Sequence, residues 1–243
     1  MNDWFTHWFG KEYLELYPHR DEEEARAAVR LVCNIVRAST GAKEIGPALD
    51  LACGSGRHSR ALRQETWTVG LDLSMPLLDV ARQESPNAPY VRGDMRSLPF
   101  ADDSFGLVVN LFTSFGYFDT DAQHLRFLAE VARVTRPGGT FVLDYLNAEE
   151  VRHTLVPSDE RVIDGRTVRQ QRRISPDGRY VEKTITAERC DQTYQERVRL
   201  FGQDQLQMML EESGFAVVTQ CGDYDGSPWT EASSRLIIFA EWE

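Results

Sequence analysis

The sequence has few cysteines, and none of them stands at the spacing of a metal site or a disulfide framework. Cys33, Cys53, Cys190 and Cys221 are widely separated, and no Cys-x-x-Cys motif occurs. Structural zinc sites and disulfide-stabilised secreted domains both need closer groups of cysteines. We therefore expect buried thiols in a reducing compartment and a site without a bound metal.

Long apolar runs and an excess of positive charge are also absent. No stretch approaches the roughly 20 apolar residues that a membrane-spanning helix needs, and the first residues do not have the composition of a leader peptide. The 243 residues carry a net charge of −11. A strongly acidic chain has no general attraction to phosphate backbones. These features predict a cytoplasmic protein without a membrane partner, and they disfavour nucleic acid as a partner.

A glycine-rich turn joins an apolar run to a helix-forming segment. Residues 48–58 read ALDLACGSGRH, and a second apolar run over 67–71 ends at Asp72. Glycines allow a backbone to approach a ligand, and the first turn of a helix offers free N–H groups. An acid at the tip of the second strand is placed to accept two ribose hydroxyls. The pattern predicts a nucleotide-type cofactor.

Two cofactor classes fit this turn. The dinucleotide fingerprint requires a third glycine three positions after the second, where this chain has Ser59. The acid Asp50 also precedes the glycines. The turn resembles the first motif of class I S-adenosylmethionine (SAM)-dependent methyltransferases, although Ala52 stands where many members have another glycine. A nicotinamide oxidoreductase is the disfavoured alternative.

The resemblance continues along the chain. Residues 90–95 look like a third strand ending at Asp94, residues 103–110 like the fourth strand, and residues 136–141 like the loop into the fifth strand. It covers about residues 46–147 and is closest to bacterial small-molecule methyltransferases. It implies an α/β, Rossmann-like, seven-stranded, mostly parallel sheet whose last strand is antiparallel.

The chain divides into three predicted parts. Residues 1–40 form an N-terminal helical cap or lid, residues 41–156 and 202–243 form the SAM-binding core, and residues 157–201 form an antiparallel β insertion. The turn signals Asp164-Gly165 and Asp177-Gly178 carry the last prediction. We expect three strands there, over 166–174, 180–187 and 193–201.

The resemblance implies a set of SAM-binding residues. Gly54 and Gly56 would lie against the methionine part of SAM, and Asp50 would face its ammonium group. Asp72 would accept hydrogen bonds from the ribose hydroxyls, and Asp94 would accept one from the adenine amine. The predicted set comprises Asp50, Ala52, Gly54, Ser55, Gly56, Asp72, Leu73, Asp94, Met95 and Asn110. For Asp50, a purely structural hydrogen bond is the alternative.

Acceptor and catalytic residues are less defined. The aromatic stretch 110–118 follows the fourth strand, and it lacks the Asn/Asp-Pro-Pro-Tyr/Phe motif of nucleic-acid amino methyltransferases. The acceptor-binding candidates are Tyr13, Phe112, Phe115, Tyr117, Tyr145 and Arg172, of which the aromatic ones have core packing as the alternative. The catalytic candidates are Tyr17, Tyr117 and His153, although an amine nucleophile needs no dedicated base. The arginines of the insertion fit a solvated sheet face, an anion grip or a dimer surface.

These features predict methyl transfer from SAM to a nitrogen or oxygen nucleophile of a small molecule by in-line displacement, with S-adenosylhomocysteine as product. Methylation of tRNA or protein and an idle SAM-binding protein are the alternatives. A homodimer is compatible with the sequence.

Overall fold

The computed structural model describes residues 4–16, 22–41, 44–188 and 193–243. The helices are α1 (Phe5–Trp8), α2 (Lys11–Leu16), α3 (Glu22–Thr40), α4 (Arg57–Leu62), α5 (Met75–Glu84), α6 (Asp121–Val134), α7 (Ala148–Thr154) and α8 (Gln203–Glu212). The strands are β1 (Ala48–Leu51), β2 (Thr68–Asp72), β3 (Tyr90–Arg92), β4 (Phe105–Asn110), β5 (Thr135–Leu146), β6 (Ser158–Ile163), β7 (Arg166–Ile174), β8 (Tyr180–Ala187), β9 (Thr193–Arg199), β10 (Phe215–Cys221) and β11 (Arg235–Trp242).

Seven strands form the central sheet in the order β10-β11-β5-β4-β1-β2-β3. The strands from β1 to β5 are parallel, whereas β11 runs antiparallel to both β5 and β10. Every residue of β1, β2 and β4 is buried, as expected for parallel strands covered on both faces. The strand order reverses between β1 and β4, which is where open α/β sheets bind ligands. The predicted Rossmann-like class is confirmed.

The signals that begin two of the core helices act as their sequence predicts. The Ser74 hydroxyl accepts the Leu77 N–H at 3.3 Å and caps α5, with Pro76 in the first turn. Thr120 and Gln123 form a reciprocal capping box at the start of α6. These caps fix where the chain leaves β2 and enters α6.

Strands β6, β7, β8 and β9 form a separate antiparallel sheet in that order. The prediction of three strands was wrong, because β6 precedes the turn at Asp164-Gly165 and pairs with β7 across it. A hairpin turn needs a strand on both sides, and the exposed, polar side chains of β6 conceal its strand character. Helix α7, which begins at the cap Asn147, was also not predicted.

The N-terminal helices pack against this second sheet. Trp8, Tyr13 and Leu16 share a buried cluster with Val168, Ile185 and Tyr194. Trp8 Nε1 donates to Glu196 Oε1 at 2.8 Å, and the Tyr194 hydroxyl donates to Glu12 Oε2 at 2.7 Å. The cap and the second sheet are thus in direct contact. Among the helices within the described residues, none has the length and apolarity to cross a membrane.

Candidate active site

A cavity of about 410 Å³, here called the first cavity, lies at the carboxyl ends of β1, β2, β3 and β4. Its lining includes Ala52, Gly54, Ser55, Asp72, Leu73, Asp94 and Met95. The cap closes its other side through Phe5, Phe9 and Tyr13. Most of the residues predicted to bind a cofactor therefore meet in one cavity at the point where the strand order reverses.

The glycine-rich turn has three residues in the left-handed region. Gly54 has φ of +56° and Gly56 of +80°, which glycine adopts without steric cost. A Cβ at Gly56 would also collide with the Tyr90 hydroxyl. Ala52 has φ of +55°, so its conformation is disfavoured for a residue with a side chain. The family's frequent glycine at this position is consistent with the positive φ that the backbone adopts here.

Asp72 ties the turn to the end of β2. Its Oδ2 accepts the Gly54 N–H at 2.8 Å, and its Oδ1 accepts the Ser74 N–H at 2.8 Å. Burial raises the pKa of this carboxyl, while the hydrogen bonds from Ser74 and Gly54 oppose the rise. The carboxylate thus lines the first cavity and orders the turn beside it.

Asp50 lies behind the turn and does not line the first cavity. Its side chain is buried, and its Oδ2 accepts the Ser59 hydroxyl at 2.6 Å. Burial raises the pKa of Asp50 to about 7, against the lowering effect of Ser59. This geometry agrees with the structural hydrogen bond, the alternative role of Asp50.

Gly56 and Asn110 also stand outside the lining. Gly56 packs on Tyr90, and Asn110 Nδ2 donates to the Leu51 carbonyl at 3.1 Å and the Ser114 hydroxyl at 2.5 Å. Asn110 supports the wall from behind, because Ser114 itself lines the first cavity.

Asp94 carries a paired carboxylate. Arg96 Nη2 donates to Oδ2 at 2.7 Å, and the Arg96 backbone N–H donates to Oδ1 at 2.8 Å. Partial burial opposes ionisation, but these hydrogen bonds outweigh it and hold the pKa of Asp94 below its usual range. The Arg96 guanidinium lies 5.0 Å from the Phe118 ring centre and 5.7 Å from that of Phe5. This pair therefore joins the end of β3 to the cap.

A second cavity of about 500 Å³ adjoins the first. The two share Phe9, Phe112 and Tyr117. The polar lining of the second cavity comprises Glu24, Thr113, Arg161, Gln170, Lys183, Glu196 and Arg235. Lys183 Nζ lies 3.2 Å from Glu196 Oε2. The second cavity thus offers charged and amide groups beside the aromatic wall of the first.

The acceptor-binding candidates divide into two groups. Tyr13, Phe112 and Tyr117 line one or both cavities. Phe115 lines neither and is fully buried against Phe127 and Phe201, so it belongs to the core. The Phe115 ring packs against Phe127 of α6, which agrees with core packing, the alternative role of this residue.

Tyr145 and Arg172 also line neither cavity. Tyr145 is fully buried, and its hydroxyl donates to the Arg199 carbonyl. Arg172 pairs with Asp159 at 2.9 Å across β6 and β7. Both side chains are engaged in holding the second sheet and its junction with the core.

Of the catalytic candidates within the described residues, one lines the cavities. Tyr117 lines both cavities. His153 lies on α7, where its Nδ1 is 2.8 Å from the Glu149 carbonyl, and lines neither cavity. Tyr17 lies outside the described residues. Tyr117 is therefore the candidate that the described geometry retains.

The exposed arginines of the second sheet face acids on neighbouring strands. Arg173 Nε is 2.8 Å from Glu182, and Arg169 is paired with Glu160. Arg173 and Glu182 stand directly opposite in the register, where opposite charges stabilise a sheet. These contacts fit the solvated sheet face.

Several residues around the cavities were not predicted. Lys183 and Glu196 meet across β8 and β9, and Arg235 reaches Asp144 across β11 and β5. One signal was available, since Asp144 is the only acid in the apolar run 141–146. An acid in an apolar run indicates a hydrogen-bonding or charged partner. The identity of that partner depends on the pairing of strands that are distant in sequence.

Comparison with known proteins identifies the domain that supplies most of the lining of the first cavity. Residues 48–139 match the family model described as a methyltransferase domain. Residues 48–139 form a methyltransferase domain of the class I, SAM-dependent kind. SAM is the cofactor of this class. The methyltransferase domain begins with β1 and includes the glycine-rich turn, Asp72 and Asp94.

Relatives extend the likeness beyond this domain. The chain is 34% identical over 139 residues to a dTDP-3-amino-3,4,6-trideoxy-alpha-D-glucopyranose N,N-dimethyltransferase from Streptomyces venezuelae, covering 56% of this chain and 57% of that protein. It thus spans just over half the length of this curated relative. The structure of Streptomyces venezuelae DesVI superimposes with a TM-score of 0.71 at 26% identity, covering 95% of this chain and 97% of the other.

A second structure shares the fold at lower identity. A SAM-dependent methyltransferase from Clostridium acetobutylicum superimposes with a TM-score of 0.80 at 15% identity, covering 98% of this chain and 97% of the other. The cap and the second sheet fall within these aligned lengths. The architecture as a whole, and not only the methyltransferase domain, therefore has structural counterparts.

Proposed function

We propose that this protein transfers a methyl group from SAM to a nitrogen or oxygen nucleophile of a small molecule, by in-line displacement. One observation carries the proposal: the first and second cavities share the wall formed by Phe9, Phe112 and Tyr117. A donor in one cavity and an acceptor in the other would meet at that wall. Holding two reactants in line at contact distance supplies much of the catalysis such a transfer needs.

The donor side fits SAM. Gly54 allows close approach of the backbone, the Asp72 carboxylate lies where ribose hydroxyls would be held, and Leu73 and Met95 offer apolar surface to an adenine ring. Asp94 accepts an adenine amine in this proposal, in addition to its bonds from Arg96. SAM supplies a methyl group on a positively charged sulfur, whose departure leaves a neutral thioether.

The cap excludes water from the reacting atoms. The Tyr117 ring packs on Trp4, Phe9 and Phe5, with ring centres 4.9, 5.7 and 6.4 Å apart. An aromatic cover over both cavities removes competing water and completes the pocket. Tyr117 orients the acceptor in this proposal, because its ring belongs to the wall that the two cavities share.

The acceptor proposed is a small polyhydroxylated molecule bearing an amine, of the amino-sugar type. The Streptomyces venezuelae relative is named for such a substrate, and the second cavity presents Gln170, Lys183 and Glu196. Amide, ammonium and carboxylate groups together can donate hydrogen bonds to the hydroxyl and amine groups of an acceptor and accept hydrogen bonds from them. Lys183 and Glu196 already pair with each other, and a polar acceptor would add hydrogen bonds that an apolar acceptor does not form.

Calorimetric titration tests the donor half. SAM and S-adenosylhomocysteine should bind with micromolar affinity on the usual scale, and NAD should not bind. Asp72→Asn keeps the size of the side chain but removes the charge and should weaken SAM binding at least about tenfold, since hydrogen bonds to charged groups contribute about 1.5–3 kcal/mol. Asp102→Asn is the matched control, because Asp102 is exposed and pairs only with Arg133 among the described contacts. Preference for NAD would contradict the proposal.

An acceptor screen tests the other half. Amino sugars, the corresponding hydroxy sugars and planar phenols are offered with SAM, and release of S-adenosylhomocysteine is followed. The amino sugars should be methylated fastest. A donor with a chiral methyl group should give inversion at carbon, whereas retention would rule out a single in-line displacement.

A further inference from the structure

The loop after β4 contains two neighbouring residues in a disfavoured backbone conformation. Phe112 has φ of +67° and Thr113 has φ of +57°, and neither is glycine. Such strain persists only where the surrounding structure over-determines it, and it is concentrated at functional sites. Because Phe112 lines both cavities, whatever holds it also shapes their shared wall.

Asp144 holds both strained residues. Its Oδ2 accepts the Phe112 N–H at 2.9 Å, and its backbone carbonyl accepts the Thr113 N–H at 3.0 Å. Asp144 lies on β5, opposite Ile237 of β11, and is fully buried. A carboxylate in such a place requires compensation by hydrogen bonds or charge.

Arg235 and Tyr224 supply that compensation. Arg235 Nε donates to Asp144 Oδ1 at 2.6 Å, and its Nη2 donates to Oδ2 at 2.9 Å. The Tyr224 hydroxyl donates to Oδ2 at 2.6 Å. Buried ion pairs are weak evidence for a stabilising role, since apolar replacements are often as stable. The geometry of this group suggests a use in placing Phe112.

The Phe112 ring lies between two guanidinium groups. Arg57 Cζ is 4.4 Å from the ring centre, and Arg235 Cζ is 5.2 Å from it. Arg57 lines the first cavity and Arg235 lines the second. Cations near an aromatic ring are attracted to it within about 6 Å. The ring is therefore held at its backbone by Asp144 and at its sides by one cation from each cavity.

We propose that Asp144, acting with Arg235, is a positioning residue that fixes the Phe112 ring as the partition between the two cavities. The proposal rests on the proposed function, in which donor and acceptor meet at this partition. A fixed ring sets the line along which the nucleophile approaches the donor methyl group. Displacement of reacting groups by about 1 Å can cost about 100-fold in rate.

Kinetics provide the first test. Asp144→Asn removes the charge at nearly constant size, Tyr224→Phe removes one donor and leaves the charge, and Asp102→Asn is the exposed control. With the acceptor identified by the screen, kcat should fall about 10- to 100-fold in Asp144→Asn and less in Tyr224→Phe. KM for SAM should stay within about twofold, because Gly54, Asp72 and Asp94, which hold the donor in the proposed function, are unaltered.

A spectroscopic test addresses the ring directly. 4-Fluorophenylalanine is introduced at position 112, and the fluorine NMR spectrum is recorded with and without SAM. The parent chain should give one narrow resonance. Asp144→Asn and Tyr224→Phe should shift or broaden it, and Asp102→Asn should leave it unchanged.

The outcomes separate the two proposals. An unchanged resonance together with unchanged kcat in both variants would overturn the role of Asp144. Absence of SAM binding by the wild-type protein would overturn the proposed function, while the fluorine spectrum would still decide whether Asp144 holds Phe112. Should Asp144→Asn fail to fold, Tyr224→Phe carries the decision.

Discussion

At the scale of single residues, Asp50 links protonation to stability. Burial raises its pKa to about 7 in the folded chain, against a usual value of 3.8. Between these pH values the folded state binds more protons than the unfolded state, so the contribution of this group to stability falls as pH rises from about 4 to about 7. Asp50→Asn removes this dependence.

The free energy of unfolding of Asp50→Asn should therefore rise relative to that of the wild type as pH increases across that window. The rise should be at most about 4 kcal/mol. Urea unfolding at pH 4.5 and 7.5 measures it, with Asp102→Asn as the exposed control. An equal difference at both pH values would show that Asp50 is charged throughout.

Gly56 is a residue at which packing and backbone conformation both demand glycine. Gly56→Ala places a Cβ against Tyr90 and 3.1 Å from Ala81 Cβ, at φ of +80°. Gly138→Ala is matched, because Gly138 has φ of +70° and a Cβ added there would meet no atom within 4 Å. Strain alone should cost Gly138→Ala about 1 kcal/mol, and the collision should add about 1–3 kcal/mol in Gly56→Ala. Urea unfolding compares them; equal losses would mean that Tyr90 moves aside freely.

At the scale of elements, the contact between α1 and β9 combines apolar packing with a hydrogen bond from one buried donor, Trp8 Nε1. Trp8→Phe keeps the aromatic packing and removes the hydrogen bond to Glu196. Hydrogen exchange should then accelerate in α1 and α2, with a loss of about 1–3 kcal/mol of local protection because Glu196 loses a partner. Arg169→Gln, an exposed change in β7, should leave α1 unaffected. Unchanged exchange after Trp8→Phe would assign the contact to apolar packing alone.

At the scale of the whole molecule, the cap and the second sheet should respond together to ligand. The cap lines the first cavity, and it reaches β9 through Trp8 and β7 through Val168. SAM should therefore slow hydrogen exchange in residues 5–16 and also in β9, which lines only the second cavity. Exchange mass spectrometry with and without SAM measures both. Protection of the cap without protection of β9 would show that the two segments move independently.

The sequence predicted those parts of the molecule whose causes are local. Apolar runs, the caps at Ser74 and Thr120 and the glycine-rich turn each act over a few residues, and the core was predicted from them together with the resemblance to class I SAM-dependent methyltransferases. Asp144 and Arg235 are 91 residues apart and meet because β11 pairs with β5. Such a contact depends on strand register, which local patterns do not contain.

Aromatic residues show the same limit. Phe112 and Phe115 are three positions apart, yet one lines both cavities and the other is in the core. The positive φ at Phe112 turns the chain at that residue. The residue types of the loop do not predict this turn. Membership of the wall was therefore decided by backbone conformation and not by aromatic character.

The separate hydrogen bonding of the two sheets has an evolutionary consequence. Among the described strands, β6 to β9 pair only with one another and share no ladder with the central sheet. Substitutions along residues 158–199 can remodel the walls of the second cavity without breaking a backbone bond of the core. Such modularity allows selection to alter the second cavity while the hydrogen bonds around the glycine-rich turn stay in place.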